Sequence, residues 1–383
     1  MIKEKGVLIY TLGNVAVSEN TLATQMYGEG DPVCSKRSQE FYDAFNSIYD
    51  VTGWACARWP GQKVYSKELG LEWKNKVRNF LLENARNGIN FRFSIQMTGH
   101  PMMKQPHPYF IVTDFLPYST DEELSELDFC DRYPISEKVG HEQSTAYKNA
   151  HGIICFSPLT KYAVKHYFGI EDKRLATICS GVVGHVDKDH VKTSEKLILW
   201  VGADAERKGA AEVFEAFKII HAADPQYKLH MVGIDEKIEH EGVTVYPFLH
   251  GEDLKILDSL YERAKVFILP SKKECLGLVY LEAMAKKTPV IATARGGMAE
   301  IIRRCGGGKV VAPNDVSSIV SAFYDITRNE DTYQLYSERA YKFSIKNTTW
   351  DVFLDRAGDA ISKWLEDDPK NIPRDYNVYE QED

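Results

Sequence analysis

Residues 197–329 alternate regularly between short apolar runs and helical stretches, and this alternation constrains the fold more than any other feature. LILWVG (197–202) reads as a buried strand closed by glycine. AAEVFEAFKIIHAAD (210–224) has helical periodicity, with Val213, Phe214, Phe217 and Ile220 on one face. Then follow strand YKLHMVG (227–233), helix EDLKILDSLYERA (252–264), strand KVFILPS (265–271) and helix LVYLEAMAKK (278–287). Strand TPVIAT (288–293), helix MAEIIRRC (298–305) and strand GKVVAP (308–313) complete the series. Asp315 stands where it can cap a further helix over 316–329. Apolar strands separated by helices imply a parallel sheet covered on both faces.

The first half alternates less cleanly. VLIYTLG (7–13), FRFSIQMTG (91–99), YFIVTDF (109–115), GIICFS (152–157) and RLATICSG (174–181) read as strands. Helices are expected over 38–49, 66–86, 136–150 and 157–168. This is a second doubly wound domain with longer insertions. At 383 residues the chain is too long for one ordinary core. The polar, glycine-containing stretch 181–196 suits a linker. The expected division is 1–185 and 186–348, with a C-terminal helix from about 349 and a loose polar tail up to 383.

Composition excludes several classes. A net charge of −8 argues against a nucleic-acid partner. The 7 cysteines form no CxxC pair, so reduced thiols in a cytoplasmic protein are expected; Cys155 and Cys179 lie in apolar runs. No stretch reaches the ~20 apolar residues of a membrane span, and the short apolar run near the N-terminus reads as a first strand. Helix 66–86 sets basic residues beside an apolar face. That is the pattern of a core helix first, and of peripheral membrane contact second.

Ligands of open α/β sheets bind outside the carboxyl ends of the strands, and three motifs lie there. In VGADAERKGAAEVF (201–214) a strand ends at Gly202, and Arg207 and Lys208 precede a helix, a placement that suits phosphate. In PSKKECLGLVYLEAMAKKTPV (270–290) Glu274 stands in a loop, Leu276-Gly277-Leu278 opens a helix, and Glu282 follows inside it. Helix-end amides face anions, glycine admits a ligand close to the backbone, and a carboxylate can accept from vicinal hydroxyls. TARGGMAEII (293–302) adds a Gly-Gly turn at the same edge. Taken singly, each has an ordinary alternative: solvated charges, surface glutamates, a tight turn.

Together these segments resemble the retaining glycosyltransferases of family 4, which have the GT-B fold. The resemblance rests on Pro270, Ser271, Glu274, Gly277, Leu281, Glu282, Ala283, Met284 and Ala285, the strand 289–293, then Gly296, Gly297 and Glu300. The spacing of Glu274 and Glu282 is the E-x7-E signature. It covers 197–325 strongly, 136–184 moderately and 14–108 weakly. The resemblance implies an α/β protein of two Rossmann-like domains facing a cleft, with the last helix crossing back to the first domain. It implies a donor sugar at Glu274, a ribose at Glu282, diphosphate at Lys208 and at the amides of 276–278, and a base near Tyr246–Leu249, including Phe248. There are departures. The family's usual Arg after the strand-end glycine is replaced by Ala203, and Arg207 is the adjacent candidate. The first-domain histidine is replaced by Asp114, with His100 in TGHP as the second candidate. The first glycine loop is reduced to Gly13-Asn14.

The implied activity is retaining transfer from a nucleotide-diphosphate sugar, UDP first and GDP second, to a hydroxyl acceptor. No metal or further cofactor is expected: Asp187-Lys188-Asp189 has the DxD form but sits in the linker. A sugar-nucleotide epimerase of the same fold and a non-catalytic nucleotide-sugar binder are the alternatives. A dehydrogenase is disfavoured because no GxGxxG follows a strand.

Overall fold

The computed structural model describes residues 4–11, 49–56, 93–97, 108–114, 141–182, 192–235, 238–249 and 251–366. The chain divides into two compact units, Met1–Cys179 with Phe353–Tyr376, and Ser180–Val352 with Asn377–Asp383.

In the first unit, strands β1 (Glu4–Thr11), β2 (Tyr49–Cys56), β3 (Phe93–Met97) and β4 (Tyr109–Thr113) precede helix α1 (His141–Asn149). Strand β5 (Gly152–Cys155), helix α2 (Pro158–Phe168) and strand β6 (Leu175–Thr177) follow. The strands form one parallel sheet in the order β2-β1-β3-β4-β5-β6. β4 and β5 are buried at every position, as expected for apolar runs in the middle of a parallel sheet. Ser157 caps α2 by accepting from the Thr160 amide at 3.1 Å, and Gly169 ends the helix in the left-handed conformation. Beside the sheet, the Tyr109 hydroxyl donates to the Ala146 carbonyl at 2.6 Å, and the Tyr147 ring stacks on Phe168.

The second unit contains β7 (Leu197–Val201), α3 (Ala210–Ala223), β8 (Lys228–Val232), β9 (Val243–Tyr246) and α4 (Leu254–Arg263). It continues with β10 (Val266–Leu269), α5 (Leu278–Ala285), β11 (Val290–Thr293), α6 (Gly297–Cys305) and β12 (Gly308–Val311). Helices α7 (Val316–Thr327) and α8 (Glu330–Asn347) complete it. The sheet is again wholly parallel, in the order β12-β11-β10-β7-β8-β9. Asp315 caps α7 through the Ser318 amide at 3.0 Å, as its position predicts.

Helix α9 (Trp350–Leu365) returns the chain to the first unit from Phe353 onward. It buries Phe353, Leu354, Ala357, Ala360, Ile361 and Trp364, a stripe at helical spacing. Trp364 stacks on Phe110 at 5.7 Å and donates its indole N–H to the Lys173 carbonyl at 2.8 Å. Its ring lies so close to Gly152 that a Cβ there would fall 2.0 Å away, so β5 must begin with glycine.

Two strands differ from the sequence reading. β2 is formed by YDVTGWAC, whose internal glycine breaks the apolar run, and takes Tyr49 from the end of the expected helix 38–49. β9 is the short edge strand VTVY, with no fully buried residue. The expected helix 66–86, residues 38–48 of the expected helix 38–49, the tail after 366, and Asp187 and Asp189 lie outside the described residues. Among the described residues, Cys155, Cys179, Cys275 and Cys305 form no disulfide, and the first two are buried. No helix among them is long and apolar enough to cross a membrane.

Candidate functional site

The order of the second sheet reverses between β7 and β10. The chain runs outward from β7 through β8 to β9, then resumes on the other side of β7 as β10. Loops at the carboxyl ends of such neighbouring strands splay apart and leave a crevice for a ligand. The loops leaving β7 and β10 carry the charges singled out in the sequence.

The loop after β7 turns tightly, with the Lys208 amide donating to the Asp204 carbonyl at 2.9 Å. Gly202 ends the strand, its amide bound to Val232 of β8. The Lys208 ammonium pairs with the Glu274 carboxylate across the reversal point, and both side chains are only 13% exposed. Ser271 adds a hydroxyl 3.4 Å from the same carboxylate oxygen. Sheltered from water, this pair is screened less than a surface pair, and removing one partner strands the other charge. Arg207 is differently placed: its Nε bonds the Asp204 carboxylate at 3.0 Å and its Nη1 the Lys273 carbonyl at 2.9 Å.

Helices α3, α5 and α6 begin at this edge with Gly209, Gly277 and Gly296 as caps, all at positive φ and none with a side-chain cap. By contrast α2, α7 and α8 are capped by Ser157, Asp315 and Asn329. Two glycines are demanded by geometry. Gly277 has φ 75°, and a Cβ would lie 2.6 Å from the Tyr280 ring. Gly296 has φ 104°, and a Cβ would lie 2.2 Å from the Glu274 carbonyl oxygen. The Gly-Gly turn thus packs against the Glu274 loop, and the Gly297 amide donates to Cys275 at 2.7 Å. That amide serves the loop rather than a ligand.

Leu276 is fully buried and Leu278 opens α5. Glu282, inside α5, accepts from the Tyr261 hydroxyl of α4 at 2.9 Å. Tyr261 is buried, and its carbonyl receives Thr288 at 2.7 Å and the Lys192 ammonium at 3.0 Å. Beneath the loop, burial first and the Glu274 charge second hold the Tyr280 phenol far above its ordinary range, so it stays a donor, to the Leu269 carbonyl. Phe248 stands just past β9 and is 66% exposed.

Asp114 belongs to the first unit and follows β4. Its neighbour Thr113 bonds the Tyr147 hydroxyl at 2.9 Å. Burial above all raises the Tyr147 pKa, opposed by that hydrogen bond, with the Asp114 charge a minor contribution. Gly13 and His100 lie outside the described residues. Sequence reasoning missed Tyr261 and Asp204. Their partners are distant in sequence or on one turn, and no motif marks them. Among the described residues, no group of three or more His, Cys, Asp or Glu side chains is arranged to hold a metal ion.

Comparison with known structures defines the class first. Sucrose-phosphate synthase from Thermosynechococcus elongatus matches 94% of this chain and 100% of its own, with a TM-score of 0.67 at 16% identity. The chain therefore has the GT-B fold, two α/β units each built on a parallel sheet. Residues 185–343, nearly the whole second unit, match the family described as Glycosyl transferases group 1. An uncharacterized glycosyltransferase from Methanocaldococcus jannaschii is 32% identical over 34% of this chain and 35% of its own length. A probable sucrose-phosphate synthase from Thermosipho melanesiensis is 32% identical over 74% of this chain and 60% of its own. The chain thus spans less than two thirds of the length of these relatives. Residues 185–343 are thus similar to the glycosyl transferases of group 1.

Proposed function

We propose that this protein is a retaining glycosyltransferase that takes a sugar from a nucleotide-diphosphate sugar and passes it to a hydroxyl acceptor, without a metal ion. The observation that carries this reading is the sheltered Lys208–Glu274 pair across the strand-order reversal. In a donor complex the ammonium exchanges Glu274 for the diphosphate, which frees the carboxylate for the hydroxyls of the donor sugar. The open start of α5 gives the diphosphate further N–H donors and a positive dipole end. Glu282, oriented by Tyr261, takes the ribose hydroxyls. Phe248 offers an exposed ring to the base.

As the bond to the diphosphate breaks, positive charge grows on the sugar and negative charge on the leaving group. Lys208 and the helix-end amides stabilise the second without reorganising, the role a metal plays elsewhere. Retention follows if the acceptor attacks from the face the diphosphate leaves. UDP-sugars are the first candidate donors and GDP-sugars the second. By the family 4 resemblance, Asp114 or His100 takes the catalytic role toward the acceptor.

A thermal-shift screen against nucleoside diphosphates and their sugars tests the donor site. At least one UDP or GDP compound should raise the melting temperature. No shift from any compound would overturn the reading. Activity should survive EDTA, and the product should keep the donor's anomeric configuration. Donor turnover without any acceptor, giving an isomerised sugar nucleotide, would point instead to the epimerase.

A further inference from the structure

Arg207 stands next to Lys208 and is the candidate for the second phosphate cation missing at Ala203. We infer that it is a positioning residue instead: with Asp204 it clasps the loop after β10 to the loop after β7 and holds Glu274 in place. The inference rests on the donor-site reading above.

Arg207 bridges the loops twice, through opposite chemistry. Its Nη1 donates to the Lys273 carbonyl at 2.9 Å, and its own carbonyl accepts from the Lys272 amide at 2.8 Å. These two peptide groups lead directly into Glu274. Asp204 fixes the clasp from behind, taking the Arg207 Nε at 3.0 Å and its backbone amide at 3.2 Å. A guanidinium is a rigid planar fork, so holding Nε and Nη1 fixes its plane. A third bridge joins Lys272 to Glu212 of α3 at 3.4 Å.

Exposure separates the two cations. The Lys208–Glu274 pair is 13% exposed on each side, whereas Arg207 and Asp204 are 40% and 51% exposed. A pair so open to water is worth little as an attraction. Its product is geometry: a fixed fork on a fixed carbonyl. Lysine at 207 would keep the charge but lack the fork that joins Asp204 to Lys273. The sheltered cation is Lys208.

The test uses the full chain and the variants Arg207→Gln, Arg207→Lys and Asp204→Asn, with Lys208→Ala as reference. Three measurements are made: hydrogen exchange over 270–277 without ligand, UDP and GDP affinity by calorimetry, and kcat and KM for UDP-glucose turnover. Arg207→Gln and Asp204→Asn should both speed exchange of the Lys272 amide by roughly tenfold or more, as local opening becomes easier. Nucleotide affinity and KM should stay within about threefold, while kcat falls about tenfold to hundredfold, the cost of misplacing a reacting group by ~1 Å. Arg207→Lys should not restore kcat.

Unchanged exchange in both variants would overturn the clasp whether or not any nucleotide binds. So would the pattern of a phosphate cation: tighter UDP in Asp204→Asn, weaker UDP in Arg207→Gln and recovery in Arg207→Lys. The donor-site reading fails separately. If exchange rises as expected but UDP and GDP bind Lys208→Ala as they bind the parent, the clasp stands and the diphosphate site lies elsewhere.

Discussion

Lys208 concentrates the chemistry of the proposed site in one residue. It is sheltered, paired and placed at the sheet's reversal point. If it stabilises the leaving diphosphate, Lys208→Ala should lower kcat by about 10²–10³, the usual cost of losing one such donor. Steady-state kinetics of the purified variant check this, and normal turnover would refute the phosphate role. A second lysine makes a prediction about stability. Lys192 is anchored on the Tyr261 carbonyl and the Thr288 hydroxyl. Burial first lowers its pKa from 10.5 to about 7; Glu262 opposes the shift, and Lys265 and Lys286 add to it. The sign follows. Below about pH 7 both folded and unfolded chains hold the proton, so the cost of burying the charge is complete. As pH rises from about 7 towards 10.5 the folded protein sheds the proton first and gains stability, by at most ~1.4 kcal/mol per pH unit. Lys192→Met should remove that rise. Denaturant melts of parent and variant at pH 7 and 9 measure the difference, and parallel pH dependences would rule the effect out.

Elements divide by how they begin. Helices at the candidate site start with glycine and no side-chain cap, whereas α2 starts with Ser157, a buried hydroxyl that accepts from Thr160. Ser157→Ala should destabilise the first unit by about 1 kcal/mol, the usual worth of a side-chain cap. A change well under ~0.5 kcal/mol in equilibrium unfolding would mean that water replaces the cap. At this scale the strands and helices of 197–329 other than β9 were legible because buried parallel strands are continuously apolar and their helices are amphipathic. β9 was not legible, because an edge strand with no fully buried residue carries no apolar run. β2 was not, because its glycine interrupts the pattern.

The whole molecule is two units whose chain segments are not contiguous. Residues 180–352 intervene between the body of the first unit and the helix that completes it. Trp364 is the anchor, stacked on Phe110, bonded to Lys173 and seated over Gly152. Trp364→Ala should cost the first unit about 3–5 kcal/mol, as for other large-to-small core changes. Its unfolding transition should then fall below that of the second unit. Melting of the two units together at the parent temperature would show that α9 contributes little.

By itself the sequence determined the class of fold and singled out the residues proposed to hold the donor. Strand and helix periodicity are local, and Lys208, Glu274, Gly277 and Glu282 lie at strand ends or early in helices that this periodicity marks. Only the tertiary structure decided what those residues touch. That Lys208 meets Glu274, that Arg207 turns away to Lys273, and that Tyr261 holds Glu282 depend on which strands are neighbours in the sheet. The Gly-Gly turn shows the same division: sequence offers its amides to a ligand, but packing commits the Gly297 amide to Cys275. The contacts of Arg207 and Lys208 with residues 66 positions away follow from β7 lying beside β10, and spacing along the chain does not encode which strands become neighbours.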